Sequence, residues 1–293
     1  MVYKNSIGGR IFDVFNFLFM ILMIVITLYP CYYVVVGSVS NPVEIAKSGA
    51  ILLYPKGFSI SSYKEILTYG ELWRSYANTI IYVLGGTTIG VLGTLAAAFA
   101  LTRKDLPGQN FFLVFLMTTM YIAGGTIPTF LVVRAVGLLD SPFTMMIMGV
   151  FAVYNIIVTM TYFRNMPAGL EEAAKIDGAG EFTVLFKILM PLAKPIIAVI
   201  ALYIGVAIWN NYMTALLYLT NRKLFPLQLM LREILLQGNT SNVAAIETGS
   251  DAEAYAENLK YAVIVVSTIP ILCAYPYLQK YFVKGVMVGA IKG

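Results

Sequence analysis

Long runs of apolar residues, separated by short polar segments, fill most of the chain. A helix must hold roughly 20 apolar residues to cross a membrane core about 30 Å thick. Strands that cross a membrane need only about 10 residues each. The pattern therefore predicts an all-α chain with six transmembrane helices, at residues 11–36, 76–101, 110–133, 143–163, 195–219 and 261–280.

Small residues modify this pattern in two of the runs. The second run has a small residue at every fourth position, which lets helix backbones approach closely in lipid: Gly86, Gly90, Thr94 and Ala98. Two interpretations of this ridge stay open, packing inside the bundle or contact with another membrane subunit. In the third run, Gly124, Gly125 and Pro128 predict a kink or break.

The composition also requires a lipid environment. Hydrophobic residues make up 59% of the 293 residues and charged residues only 12%, whereas a soluble domain has about 25% charged residues. So few polar side chains could not cover the core of a soluble fold. We therefore expect a multi-pass protein of the cytoplasmic membrane. The net charge of +5 comes from single and paired basic residues, which argues against nucleic acid as a partner.

The distribution of basic residues predicts the orientation. With six spans, both termini lie on one side of the membrane, together with the loops near 103–105 and 164–194. That side holds 11 basic and 6 acidic residues, and the other side holds 9 of each. Basic residues in short loops favour the cytoplasm. We therefore expect the termini and residues 164–194 in the cytoplasm, and residues 37–75 and 219–260 outside.

Several kinds of chemistry are excluded by what the sequence lacks. It contains no histidine, so histidine-ligated metals and Ser-His triads are ruled out and no metal site is expected. Cys31 and Cys273 lie inside apolar runs, where small core residues are expected rather than a disulfide. The middle of each run lacks the charges typical of ion-coupled carriers. A phosphate-binding loop of the form G-x-x-x-x-G-K-[ST] is also missing, so energy for uphill transport must come from a partner.

The long loop at residues 164–194 predicts two short helices joined at a glycine. Pro167 ends the preceding run, and Glu171 and Glu172 suit a first helical turn, where the helix dipole favours anions. Gly178 and Gly180 break the helix. Pro191 ends the apolar stripe that follows at helical spacing, which consists of Phe182, Leu185, Phe186 and Leu189. An exposed apolar face here indicates that another protein covers it.

This loop resembles one in the membrane subunits of binding-protein-dependent ABC importers. Their pattern is Glu-Ala-Ala, then a glycine, then an Ile-x-Leu-Pro ending. The matching residues here are Glu172, Ala173, Ala174, Gly178, Ile188 and Pro191, with Met190 in place of the leucine. In that family the loop docks on the ATPase subunit and transmits its closure to the membrane helices. The resemblance therefore implies an ATPase-coupling site formed by Glu171, Glu172, Ala173, Ala174, Asp177, Gly178, Ile188 and Pro191.

Roughly residues 70–293 resemble the sugar-transporting branch of this family, especially the second permease of maltose-type systems. The segment from Asn78 to Arg103, the Trp-Asn-Asn-Tyr motif at 209–212 and the tail motif at 281–285 carry this likeness. It implies that the transported solute is an oligosaccharide, with a complex or acidic glycan fragment as the narrower expectation. The alternative is an importer of the same type for a non-sugar solute.

The resemblance also implies a fold and a set of partners. The fold is the type I ABC importer (MetI-like) permease fold, with both termini cytoplasmic. Residues 1–70 would form the first span and an external loop, 71–282 the transmembrane domain and 283–293 a cytoplasmic tail. The partners would be a homologous second permease in a heterodimer, two copies of an ABC ATPase and an extracytoplasmic sugar-binding protein. The chain would be no enzyme and bind no cofactor, because the ATPase uses ATP and Mg²⁺.

Aromatic and amide side chains in the spans are candidates for a sugar pathway, because sugars stack on rings and hydrogen-bond to amides. The candidates are Asn78, Tyr82, Tyr154, Asn155, Trp209, Asn210, Asn211 and Tyr212. The alternatives are hydrogen bonding between helices or, for the tryptophan and the tyrosines, anchoring at the membrane surface. Outside the membrane, residues 229–236 are amphipathic and Asp251, Glu253 and Glu257 are acidic. In the resembling permeases this loop reaches into the binding protein.

Overall fold

The computed structural model describes residues 7–47, 51–103, 105–236, 258–273 and 276, and the regular elements in these ranges are helices. In chain order they are α1 Ile7–Ser38, α2 Pro42–Lys47, α3 Ser61–Thr68, α4 Gly70–Thr102, α5 Gln109–Tyr121, α6 Thr126–Ala135, α7 Pro142–Ile147, α8 Val153–Arg164, α9 Ala168–Ile176, α10 Glu181–Leu192, α11 Lys194–Trp209, α12 Met213–Tyr218, a 3₁₀ turn Arg222–Leu224, α13 227–236 and α14 Asn258–Cys273.

Internal contacts divide the chain into two units. The first consists of residues 1–69 and 233–269, and the second of residues 70–232 and 270–293. The predicted tail at 283–293, the motif at 281–285 and the acidic residues of the external loop lie outside the described residues. The amphipathic segment at 229–236 is helical.

The first unit is held together by the buried side chain of Asn258, at the start of α14. Its Nδ2 donates to the backbone oxygens of Gly37 (2.7 Å) and Ser40 (3.1 Å), and its Oδ1 accepts from the hydroxyl of Ser62. Buried amides are tolerated when they are hydrogen-bonded, so this one residue joins the end of α1, the segment after it and α3. Most of the apolar length of α1 is exposed within this chain, which suits a helix that faces lipid or another subunit.

The second unit is built around α4, and its small residues allow the neighbouring helices to pack closely. Helix α11 lies along α4, and α7 and α8 also pack on it. A Cβ atom on Gly86 would lie 2.5 Å from Cδ1 of Ile208 and 2.9 Å from the backbone oxygen of Met146. Thr94 and Ala98 are fully buried further along the same ridge. The ridge therefore packs inside the bundle.

One end of the second unit collects the loops that were predicted to be external. Asp140 accepts hydrogen bonds there from the hydroxyl of Thr220 and from the backbone N–H groups of Asn221 (2.8 Å) and Thr220 (2.6 Å). The hydrogen bond from the Thr220 hydroxyl, together with these two N–H groups, holds the pKa of the Asp140 carboxyl below its usual value. The opposite end collects Arg103 and the loop at 164–194. The loops are grouped as predicted, and the assignment of the second group to the cytoplasm stays a prediction.

The observed helices are less continuous than the predicted spans. Gly8–Ser38 and Gly70–Thr102 are each long and apolar enough to cross a membrane. Helices α5 and α6 form a pair bent by 118°, and this break at residues 122–125 confirms the one predicted at Gly124 and Gly125. The described helices supply two spans, or up to four if each bent pair counts as one. The total of six stays a prediction.

Two other predicted runs are interrupted. The run at 143–163 breaks at 148–152, where Gly149 has a φ of +78°. The run at 195–219 breaks at 210–212. Cys31 and Cys273 are free, as expected, but both are exposed. The expectation that they are core residues was wrong, because an apolar helix in a membrane protein need not face the protein interior.

Candidate functional site

The predicted cytoplasmic loop forms an elbow, residues 168–192, which consists of α9 and α10. Helix α9 ends at Ile176, and Gly178 turns the chain with a φ of +81°, a left-handed conformation that glycine adopts without steric cost. Gly180 has an ordinary φ of −75°. Helix α10 then leads into a bend of 86° before α11. The prediction of two helices joined at a glycine is confirmed, and Gly178 is the position whose backbone requires one.

Helix α10 is irregular just before Pro191. Its middle, Val184–Leu189, is a π-helix, and the N–H of Met190 donates to the oxygen of Leu185. A proline inside a helix has no N–H to donate, and its ring crowds the carbonyl four residues earlier. The helix nevertheless continues past Pro191 to Leu192, one residue beyond the predicted end.

The elbow has an inner face on its own bundle and an open outer face. Ala174, Leu185 and Leu189 are buried in the core of the second unit. Of the predicted ATPase-coupling residues, Glu171 and Ile188 are half-buried, and those that remain exposed are Glu172, Ala173, Asp177, Gly178 and Pro191. Successive residues of a helix point in different directions, so Ala173 faces outward while Ala174 faces inward.

The predicted apolar stripe of α10 is divided between these two faces. Leu185 and Leu189 point inward, whereas Phe182 and Phe186 are 81% and 47% exposed. The two phenyl rings stack with their centroids 6.5 Å apart and their planes 6° apart. On α9, Ile176 is 86% exposed. Large apolar side chains held open in this way indicate a surface that another protein covers.

A cluster of four charged residues ties the elbow to the end of α4. Arg103 pairs with Glu171 of α9 and, at 3.2 Å, with Glu181 of α10. Lys175 lies 3.2 Å from Glu171 and 3.0 Å from Glu181. Among the described residues, neither Glu172 nor Asp177 forms an ion pair. The outward carboxylates are therefore available to a partner, while Glu171 is engaged within the chain.

Sequence reasoning missed the role of Arg103, which was counted only among the basic loop residues. Arg103 and Glu171 are 68 positions apart, and no local pattern connects them. The signal in the sequence was weak. It consisted of a basic residue and a carboxylate-rich loop that were both assigned to the same side of the membrane. In the part of the chain that the structure describes, no cluster of histidine, cysteine, aspartate or glutamate side chains could hold a metal ion.

Two of the predicted sugar-pathway residues hold together the end of the second unit whose loops were predicted to be external. Asn78 Nδ2 donates to the backbone oxygens of Lys223 (2.8 Å) and Phe225 (3.1 Å). The Tyr82 hydroxyl donates to the backbone oxygen of Leu224 at 2.9 Å. Between them, Thr79 Oγ1 accepts from the N–H of Leu227 at 2.8 Å. These side chains satisfy the backbone of residues 223–227, the alternative given for each of them.

The Asn-Asn pair at 210–211 shapes the break between α11 and α12. Asn210 Nδ2 donates to the oxygen of Val206 (3.0 Å), in its own helix. Asn211 Oδ1 accepts from the N–H of Thr214 (3.0 Å) and its Nδ2 donates to the hydroxyl of Thr214 (2.8 Å). Polar side chains of this kind satisfy the free backbone groups at helix ends. Both amides therefore have a structural role that accounts for their position.

The other four pathway candidates do not form one cluster. Tyr154 is 56% exposed and Asn155 is buried, both on α8. Trp209 is buried edge-on against Tyr76, with ring centroids 6.3 Å apart. Tyr212 is 39% exposed, and the guanidinium of Arg232 lies 5.8 Å from its ring centroid. Tyr154 and Tyr212 are thus the exposed aromatic residues among the four.

Trp209 also borders a cavity of about 300 Å³ between α4 and α11. Within the described part of the chain, neither its Nε1 nor the hydroxyl of Thr87, which lines the same cavity, has a hydrogen-bond partner. The remaining walls are mainly aliphatic.

Comparison with known proteins defines the class of protein. Residues 89–288 match the family described as binding-protein-dependent transport system inner membrane component. The chain therefore belongs to this family of multi-pass membrane subunits, which work with an ATPase and a substrate-binding protein. At the level of the family, its role is transport and not enzymatic catalysis.

Particular relatives narrow the class to sugar importers. The polygalacturonan/rhamnogalacturonan transport system permease protein YtcP of Bacillus subtilis (strain 168) is 36% identical, over 97% of this chain and 99% of its own. Protein LplC of the same strain is also 36% identical, over 99% and 97%. A solved bacterial ABC transporter involved in the import of the acidic polysaccharide alginate matches with a TM-score of 0.83 at 33% identity, over 94% of this chain and 98% of that one. The resemblance to the sugar-transporting branch is confirmed.

Proposed function

We propose that this chain is a permease subunit that imports an acidic oligosaccharide across the cytoplasmic membrane, driven by a separate ATPase through the 172–191 segment of the elbow. The chain would pair with a homologous second permease and receive its solute from an extracytoplasmic binding protein. Closure of two ATPase subunits, as they use ATP and Mg²⁺, would move the elbow and shift the bundle between outward-open and inward-open states. The observation that carries the proposal is the open outer face of the elbow.

The outer face suits a groove on another protein. Stacked Phe182 and Phe186 offer apolar area, and the carboxylates of Glu172 and Asp177 remain available for basic side chains. Interfaces of this kind have an apolar centre with a polar rim. Ala173 is small and exposed next to Glu172, so the partner surface could approach the backbone of α9 closely. Because Ala174 packs inward, we assign the contact to Ala173 and not to Ala174.

The similarity to permeases for polygalacturonan and alginate supports an acidic solute. Two features of the second unit fit such a molecule. Tyr154 and Tyr212 expose ring faces on which a sugar can stack. The guanidinium of Arg232 lies beside the ring of Tyr212, where it can neutralise a sugar carboxylate. We therefore place Tyr154 and Tyr212 nearest the solute and regard Asn78, Tyr82, Asn210 and Asn211 as structural.

Transport by the complete importer, reconstituted in vesicles with its ATPase and binding protein, tests this function. We expect ATP-dependent uptake of galacturonate or alginate oligosaccharides and little uptake of a neutral malto-oligosaccharide. Glu172→Lys should abolish the stimulation of ATP hydrolysis by the loaded binding protein and reduce uptake roughly tenfold or more, because it reverses a charge on the docking face.

Glu44→Lys is the matched control for this variant, since Glu44 lies on α2 in the other unit and its charge reversal should leave coupling unchanged. Full uptake by Glu172→Lys would contradict the assignment of the outer face. Preference for the neutral sugar, or for a non-sugar solute, would contradict the assignment of the substrate while leaving the coupling role intact.

A further inference from the structure

The end of α4 is bound to both arms of the elbow, α9 and α10. Docking of the outer face on an ATPase does not by itself require this contact. Arg103 follows the last residue of α4, and its guanidinium lies 3.9 Å from the ring centroid of Phe99 on that helix. From there it reaches Glu171 on α9 and Glu181 on α10. A single side chain therefore links three helices. Phe99 is buried in the core, so the base of this link is fixed to the bundle.

The four charges form a closed arrangement. Lys175 approaches the same two carboxylates from α9, so each carboxylate meets one cation of α9 and the cation from α4. Isolated ion pairs at a surface contribute little, but a network with a partly buried member contributes more. The Arg103 side chain is only 16% exposed, and its ring contact adds a cation–π interaction. Separating both arms from α4 would leave the partly buried charge of Arg103 unpaired.

A second contact strengthens the same junction. Arg164, the last residue of α8, donates from Nη2 to the backbone oxygen of Leu101 at 3.4 Å, and Gln109 Nε2 donates to the same oxygen at 2.6 Å. Cations and donors near the last turn of a helix satisfy its free carbonyls and interact well with its dipole. The helix that leads into the elbow is therefore also bound to the end of α4.

We propose that Arg103 is a positioning residue that makes the elbow move as one body with α4, so that solute transported per ATP depends on this side chain although it lies off the docking face. Motion applied to the outer face can reach the bundle only if the elbow does not flex against α4. The two arms join at Gly178, and Arg103 bridges the arms on its two sides. This inference rests on the proposed function and adds a residue that the loop motif does not include.

The test measures two quantities in the complete reconstituted importer, solute transported per ATP hydrolysed and backbone hydrogen exchange in residues 168–192. For Arg103→Gln we expect assembly and ATP hydrolysis to persist, solute per ATP to fall roughly fivefold or more, and exchange in the elbow to rise. Arg134→Gln is the matched control. Arg134 also lies in the last turn of a helix, and within the described residues it forms no ion pair. It should change neither quantity.

A charge exchange separates pairing from mere packing. Arg103→Glu and Glu171→Arg each unbalance the cluster. Exchanging all four charges (Arg103→Glu, Lys175→Glu, Glu171→Arg and Glu181→Arg) restores every pair with its signs reversed and should recover at least half of the solute transported per ATP. Unchanged coupling in Arg103→Gln, unchanged exchange in the elbow, or a fourfold variant as poor as the single ones would overturn the inference. If Glu172→Lys uncouples the importer and Arg103→Gln does not, this inference alone fails. If neither variant does, the proposed function fails.

Discussion

At the scale of single residues, two positions in and beside the elbow matter most, Gly178 for its backbone conformation and Arg103 for its side chain. Gly178 could be predicted from the sequence, because a glycine between two amphipathic segments is typical of a helix end. Arg103 could not, because its partners are brought to it by the fold. Asn78 was found as an unusual polar residue, but its acceptors are backbone oxygens of residues 223 and 225. Every residue has a backbone oxygen, so the sequence does not reveal which of them will accept a hydrogen bond from a side chain.

The two glycines of the elbow give a clean comparison at this scale. A Cβ atom at Gly178 or at Gly180 would meet no atom within 4 Å, so only backbone conformation distinguishes them. Gly178→Ala must adopt a left-handed conformation, at a cost of about 1–2 kcal/mol. We expect hydrogen exchange of residues 168–183 to accelerate roughly 5- to 30-fold. Gly180→Ala should leave exchange unchanged or slow it, and equal acceleration in both variants would contradict this account.

At the scale of helices, apolar runs predicted where helices occur better than where they end. The predicted carboxyl-terminal ends of α4 and α8 were nearly right, because charged or proline-containing segments follow these helices. The breaks at 148–152 and 210–212 were missed, because each depends on few residues inside an apolar run. At the second break the contact is local, since Asn211 caps α12 through Thr214, but an asparagine pair in a span could equally have met a sugar.

The packing of α4 against α11 predicts which glycine tolerates a side chain. Gly86→Ala would place Cβ 2.5 Å from Ile208 and 2.9 Å from the backbone of Met146, and backbone cannot move aside cheaply. We expect a destabilisation of about 1–3 kcal/mol, seen as a lower melting temperature of the purified protein in detergent. Gly205→Ala, on the facing helix, would come no closer than 3.4 Å to Thr87 and should be tolerated. A melting temperature unaffected by Gly86→Ala would contradict the close packing.

At the scale of the whole molecule, the alternation of six predicted spans puts residues 103–105 and the 164–194 loop on one side, and the structure brings Arg103 and that loop together. The count of basic residues assigns this side to the cytoplasm, which labelling of single cysteines can test. In a background with Cys31→Ser and Cys273→Ser, a membrane-impermeant maleimide should label Lys223→Cys in intact cells. It should label Lys187→Cys only after permeabilisation, since both side chains are exposed but lie at opposite ends of the unit. Labelling of Lys187→Cys in intact cells would invert the topology.

The length of α4 also has a consequence for coupling from the solute to the ATPase, the reverse of the coupling from the ATPase to the bundle proposed above. Its 33 residues make a rod about 50 Å long, against a hydrocarbon layer of about 30 Å. It is therefore longer than that layer is thick, and its two ends contact the turn at 222–225 and the charge cluster around Arg103. A stiff helix can transmit a displacement from either end to the other. If solute capture and nucleotide binding act on the two ends of α4 in the proposed importer, thermodynamic reciprocity requires each to change the affinity for the other by the same factor.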